Sequence, residues 1–117
     1  MLRKFYNDVT LLYTLQGISQ ANLLHLLVKH FLDTNKPLAA ICHGPQILVA
    51  TGGIQGRKVT AYFAQEPELR AVGADYQKVG VDEAVVDGNL VTGVAWPANP
   101  AVIRAFVELL GVKIVHQ

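Results

Sequence analysis

The stretch from Pro37 to Pro45 constrains this chain most, because the apolar run Leu38-Ala39-Ala40-Ile41 stops at a cysteine and a helix start follows at once. Cys42 is the single cysteine of the sequence. Pro45 suits a first helical position, where its missing N–H would have had no partner in any case. A strand that turns directly into a helix exposes the side chain at the corner, and Ala40-x-Cys42-x-Gly44 places small residues on both sides of it. The spacing is similar to the small-x-nucleophile-x-small turn of hydrolytic α/β folds, where small neighbours relieve crowding at a strained corner. The free amides and positive end of the following helix favour a thiolate there. Open α/β sheets also put their sites at the carboxyl ends of strands. A cysteine in an apolar run is otherwise most often a small buried hydrophobe. The Gly-Pro stop sets Cys42 apart, and the pattern predicts a reactive thiol with the neighbouring His43 imidazole as proton acceptor.

The rest of the chain alternates strand and helix signals. Val9 to Leu15 reads as a strand, and a helix opening at Ser19 or Gln20 carries Leu23, Leu24, Leu27, Phe31 and Leu32 on one broad apolar face. His25 and His30 lie five apart, which misses the one-turn spacing of a helical metal pair, so they read as solvated or rim histidines. Asp33 to Pro37 is a turn by composition. After Cys42, a short helix over Pro45–Ala50 stops at Gly52-Gly53. A strand over Arg57–Phe63 follows. Glu66 to Gly73 then has early acids, a later Arg and a terminal Gly, the polarity of a short helix. Glu66 and Glu68 are therefore read as complements to a helix end ahead of catalytic carboxylates. Val79 to Val81 predicts a short strand, and Ala84 to Thr92 a hairpin turned at Asp87-Gly88-Asn89, whose residues serve backbone conformation. Asn99-Pro100 predicts the cap and first-turn proline of a last helix burying Val102, Ile103, Phe106, Leu109 and Leu110 before Gly111. Trp96 lies between a strand end and that helix, where it walls a pocket at Cys42 or packs in the core.

Composition bounds the function classes. A chain of 117 residues, 51% hydrophobic and 16% charged, supports one core, so residues 1–117 are expected to form a single domain. A formal net charge of +1 with acids and bases interspersed gives no reason to expect nucleic acid or an anionic membrane as partner. One cysteine makes no internal disulfide and no four-thiolate metal site. Leu23 to Leu32, the best apolar stretch, is interrupted by His25, Lys29 and His30 and is shorter than the ~20 residues of a membrane span. No secretory signal is legible after Met1, and the default expectation is the cytoplasm.

Five blocks in order make the sequence recognisable: Ala40 to Gln46, Gly56-Arg-Lys-Val-Thr-Ala-Tyr62, Gly73-Ala-Asp-Tyr76, Val85 to Thr92, and Ala95-Trp-Pro97. Together, over about residues 36–111, they closely resemble the ThiJ/PfpI family of intracellular cysteine hydrolases. The resemblance implies a flavodoxin-like α/β sandwich with a mostly parallel sheet, within the class I glutamine-amidotransferase-like superfamily. Family activities include peptide hydrolysis, cofactor-independent glyoxalase chemistry and removal of early glycation adducts. Relatives open with βα units that supply an acidic residue beside the cysteine and a Pro-Gly-Gly loop at the oxyanion site. Neither is visible here, so the chain reads as N-terminally shortened, with residues 1–35 matching only loosely. Where some members carry a helical glutamate, this chain offers Ala21 or Asn22, and Asn99 stands where many have histidine in Trp-Pro-x-His-Pro.

Two function classes compete. In the first, Cys42 attacks a carbonyl carbon, His43 manages the proton, and backbone N–H groups after the turn, at Gly44, hold the oxyanion while Trp96 lines the pocket. The substrate is then a small carbonyl compound or a peptide, with no cofactor and no metal. In the second, the chain is a divergent, non-catalytic member acting as a structural or interaction module. A shortened sheet with an uncovered edge predicts a homo-oligomer in which another subunit supplies the absent carboxylate.

Overall fold

A computed structural model of the protein describes residues 21–113 and residue 115. The expected strand over Val9–Leu15 and helix opening at Ser19 or Gln20 lie outside the described residues, as do the side chains of Ala21 and Asn22. The first described element is α1 (Ala21–Asp33). Its end is a complete Schellman closure: the Asn35 N–H donates to Leu32 O and the Lys36 N–H to Phe31 O, with Asn35 at φ 55°. Asparagine tolerates that left-handed geometry, so the turn redirects the chain into the sheet at little cost.

Next come β1 (Leu38–Ile41), α2 (Pro45–Thr51) and β2 (Lys58–Val59). A 3₁₀ turn (Phe63–Gln65) runs into α3 (Glu66–Ala71), followed by β3 (Asp75–Tyr76). The hairpin β4 (Ala84–Asp87) and β5 (Leu90–Gly93) leads through a second 3₁₀ turn (Trp96–Ala98) to α4 (Asn99–Leu109). Among the described residues, β1, β5 and β4 form one sheet in that order, β1 parallel to β5 and β4 antiparallel to it. β2 and β3 form a parallel pair.

Alternation along β1 and β5 divides the core between the two faces of that sheet. Leu38, Ala40 and Leu90 pack with Leu24, Val28, Phe31, Leu48, Ile54 and Leu69. Ala39, Ile41 and Val91 face the other way, against Val102, Ala105 and Leu109 of α4. The result is an α/β sandwich with helices on both faces. Gly93 marks its tightest point, since a Cβ there would lie 2.6 Å from Val102 Cγ2 and 3.2 Å from Ala98 Cβ.

Several expectations are corrected. The buried face of α1 is Leu24, Val28, Phe31 and Leu32, while Leu23 is 59% exposed. The helix is rotated so that the i, i+4, i+7, i+8 set meets β1 and α2, and Val28 displaces Leu23 inward. On α4, Val102 and Phe106 are buried but Ile103 is exposed. Asn99 begins that helix and caps nothing, because the preceding 3₁₀ turn runs straight into it and Ala98 holds the cap position. No strand forms over Val79–Val81. The strand expected over Arg57–Phe63 shrinks to Lys58–Val59, because the Thr60 N–H donates to the Thr92 hydroxyl and not to a neighbouring backbone. No described helix is long and apolar enough to cross a membrane.

Candidate active site

Cys42 follows the last residue of β1, and its N–H donates to Gly93 O at 3.0 Å, which extends the β1–β5 pairing by one step. The chain then breaks from extended geometry abruptly, with Cys42 at φ 63°. Only Asn35 shares a positive φ among described non-glycine residues, and Asn35 is suited to it. A cysteine there carries strain of order 1–3 kcal/mol that the surroundings must hold in place. Gly44 is part of how they do so. A Cβ on Gly44 would sit 3.1 Å from Ile41 O and 3.3 Å from Ile41 N, backbone atoms that cannot move aside. Pro45 follows at the first turn of α2 and is buried.

The corner presents a paired thiol and imidazole. Cys42 Sγ lies 3.1 Å from His43 Nδ1. With His43 in the tautomer protonated at Nε2, the free Nδ1 is the acceptor of a hydrogen bond from the thiol. The pair is open to solvent, Cys42 being half-buried and His43 exposed. Two clefts, of about 390 and 360 Å³, lie away from the corner: one by Arg57, Asp87 and Asn89, the other by His25, Leu26 and Lys29.

The segment after β2 holds this corner from the other side. The Tyr62 N–H donates to Cys42 O at 2.9 Å, and Gln65 Nε2 donates to His43 O at 3.3 Å. The Tyr62 ring stacks on the His43 imidazole with centroids 4.9 Å apart and planes 30° from parallel. Phe63 lies against Tyr62 in turn, at 4.3 Å. Sequence reading missed Tyr62 and Gln65 as site residues. Tyr62 stood in view as the end of a motif block, whereas Gln65 carried no signal at all.

Among the sequence-predicted site residues, Cys42, His43 and Gly44 come together. The Gly44 N–H points inward to Ile41 O at 2.9 Å, so it is engaged within the turn, while the His43 N–H has no partner among the described residues. Trp96 begins the 3₁₀ turn that leaves β5 beside the corner and is 80% exposed, which excludes core packing. Glu66 pairs with Arg70 one helical turn on, at 2.9 Å, as a helix-surface ion pair. His25 and His30 belong to no cluster of metal-binding side chains, none being present among the described residues.

The sequence of residues 15–109 matches the model of the DJ-1/PfpI family. The chain belongs to that family. It is 43% identical over 89 residues to Protein DJ-1 homolog D of Arabidopsis thaliana, covering 75% of this chain and 23% of that protein. It is 38% identical over 85 residues to Deglycase PfpI of Pyrococcus furiosus, covering 72% of this chain and 49% of that one. Its fold is similar to that of a two-domain protein of Anabaena variabilis containing DJ-1/ThiJ/PfpI-like and ferritin-like domains, at a TM-score of 0.70 and 31% identity over 75% of this chain and 24% of the other. This DJ-1/PfpI chain thus spans about half or less of the length of these relatives. Its α/β sandwich is the flavodoxin-like fold of the family.

Proposed function

We propose that this DJ-1/PfpI chain carries the nucleophile of a cysteine-dependent hydrolase or deglycase acting on carbonyl or amide substrates. The observation that carries the reading is the strained Cys42, at φ 63°, with its Sγ 3.1 Å from His43 Nδ1. Backbone strain retained at a half-buried thiol is a feature of pre-organised sites, and the name of the Pyrococcus relative, a deglycase, lies in the same class.

In the proposed sequence His43 Nδ1 takes the Cys42 proton as Sγ forms a bond to the carbonyl carbon. The carbonyl electron pair moves onto oxygen, toward the His43 N–H, which has no partner among the described residues. With an amide, the imidazolium returns its proton to the departing nitrogen, leaving a thioester that water hydrolyses to free Sγ. With an aldehyde, the same attack gives a thiohemiacetal. The exposed Phe63, packed on the Tyr62 ring that stacks on His43, offers apolar surface on the His43 side of the pair. Incubation of the purified chain with methylglyoxal and with a fluorogenic peptide tests the reading. Turnover of either, with a mass-detected adduct on Cys42, supports it. Absence of both turnover and adduct favours a non-catalytic family member.

A further inference from the structure

Gln65 is a poor choice for stability alone. It is 5% exposed, and its Oε1 is buried without a hydrogen-bond partner among the described residues. A buried acceptor left unpaired is destabilising, whereas an apolar side chain of similar shape would avoid that loss. What the glutamine contributes is its other end: Nε2 donates to the backbone carbonyl of His43 at 3.3 Å. The Tyr62 N–H holds the preceding carbonyl, that of Cys42, at 2.9 Å. Two consecutive carbonyls of the strained corner are therefore gripped from one short segment, which is itself closed by the Gln65 N–H on Tyr62 O at 2.8 Å.

We infer that Gln65 is a positioning residue for the Cys42–His43 pair, fixing the His43 peptide so that Nδ1 stays against Sγ. It acts through His43 and touches no substrate. The inference rests on the proposed function only for its catalytic meaning, because the reactivity of the thiol can be read without turnover. Freed of the amide, the His43 peptide samples other orientations, and the imidazole spends less time within reach of the thiol proton. Oε1, which has no partner among the described residues, leaves together with the donor, so stability and thiol reactivity move independently.

Two variants of the full chain test this, Gln65→Met and Gln65→Glu, with Cys42 alkylation by iodoacetamide followed by mass spectrometry across pH and melting recorded in parallel. In Gln65→Met the alkylation rate at neutral pH falls about three- to tenfold, while the melting temperature holds or rises. In Gln65→Glu only the protonated carboxyl donates to His43 O, so the ratio of variant to parent rate is near one at low pH and falls as that carboxyl ionises. A rate in Gln65→Met within twofold of the parent, or a Gln65→Glu ratio that does not change with pH, overturns the assignment. If Gln65→Met fails to fold, the pH dependence of Gln65→Glu decides alone. A parent that turns over neither methylglyoxal nor peptide defeats the proposed function and leaves the alkylation comparison standing. Turnover by the parent with unchanged alkylation in both variants defeats only the role of Gln65.

Discussion

The two ends of the parallel strands solve opposite problems. At the amino ends of β1, β2 and β5, Arg57 is engaged through two of its nitrogens: Nε donates to Asp87 Oδ2 at 3.0 Å, and Nη2 donates to Asp87 O at 2.7 Å and to Asn89 Oδ1 at 2.9 Å. Asp87 also accepts the Lys58 N–H at 2.8 Å, and Asn89 Nδ2 donates to Lys36 O at 2.8 Å. That network ties the hairpin turn to β2 and to the entry of β1. At the carboxyl ends the arrangement is open and strained, with Cys42 at φ 63° and with Thr60 Oγ1 and Gln65 Oε1 buried without a hydrogen-bond partner among the described residues. One end satisfies its polar groups and stabilises the sheet. The other leaves donors, acceptors and a thiol in awkward geometry, where chemistry has use for them.

The contrast predicts that activity and stability separate by end. His43→Ala, at the open end, should lower turnover by roughly 10²–10⁴-fold, the range expected for loss of a proton-transfer group, with an unchanged denaturation midpoint. Arg57→Ala should do the reverse. Removing it strands a partly buried carboxylate and breaks several charge-assisted hydrogen bonds, for a loss of about 2–3 kcal/mol in urea unfolding, while Cys42 alkylation in the folded protein stays at the parental rate. Slow alkylation in Arg57→Ala under native conditions would show that the ends are coupled.

Gly93→Ala is the substitution that should cross the divide. Its Cβ would meet Val102 Cγ2 at 2.6 Å, and its carbonyl accepts the Cys42 N–H. Overpacking of this kind costs about 1–3 kcal/mol, and the displaced strand end should slow alkylation as well. Calorimetry and alkylation on the same sample check both effects.

The smallest expected effect lies in acid. The Lys58 N–H, with the Arg57 guanidinium adding to it, holds the Asp87 carboxyl below its ordinary value of 3.8 despite partial burial. A carboxyl whose folded value is depressed contributes stability in full above its unfolded value, and that contribution disappears as pH falls through the lower folded value. Stability of the parent should therefore decline on acidification below about pH 4, and Asp87→Asn should decline less steeply. Identical acid limbs in the two proteins would place the stabilising interaction elsewhere.

What the sequence made legible follows the same division. The corner at Cys42 was readable because strand termination, small neighbours and a helix-start proline are local signals, and the hairpin was readable because Asp87-Gly88-Asn89 demands a turn, with Gly88 at φ 58°. The Arg57 network was not readable. Asp87 and Asn89 were explained by backbone conformation alone, yet their side chains also bind a residue some 30 positions away, at 30 and 32 residues' separation. The extent of β2 was overread because an apolar, β-branched run looks like a strand whether or not a ladder partner exists. Leu23 and Val28 exchanged places because the phase of α1 is set by what it packs against. Gln65 lacked any periodic or motif signal, since its role depends on a carbonyl brought to it by the fold.

The central claim is that Cys42 is a working nucleophile and not a packed thiol. Turnover of methylglyoxal and of a fluorogenic peptide by the parent and by Cys42→Ser, with melting curves on both, tests it most directly. The account predicts turnover of at least one substrate by the parent, none by Cys42→Ser, and matching melting curves, because the half-buried corner accommodates a hydroxyl. Equal activity in Cys42→Ser and parent would contradict it, as would an inactive parent whose Cys42→Ser variant loses the roughly 1–3 kcal/mol expected when an unpaired hydroxyl is placed in a core.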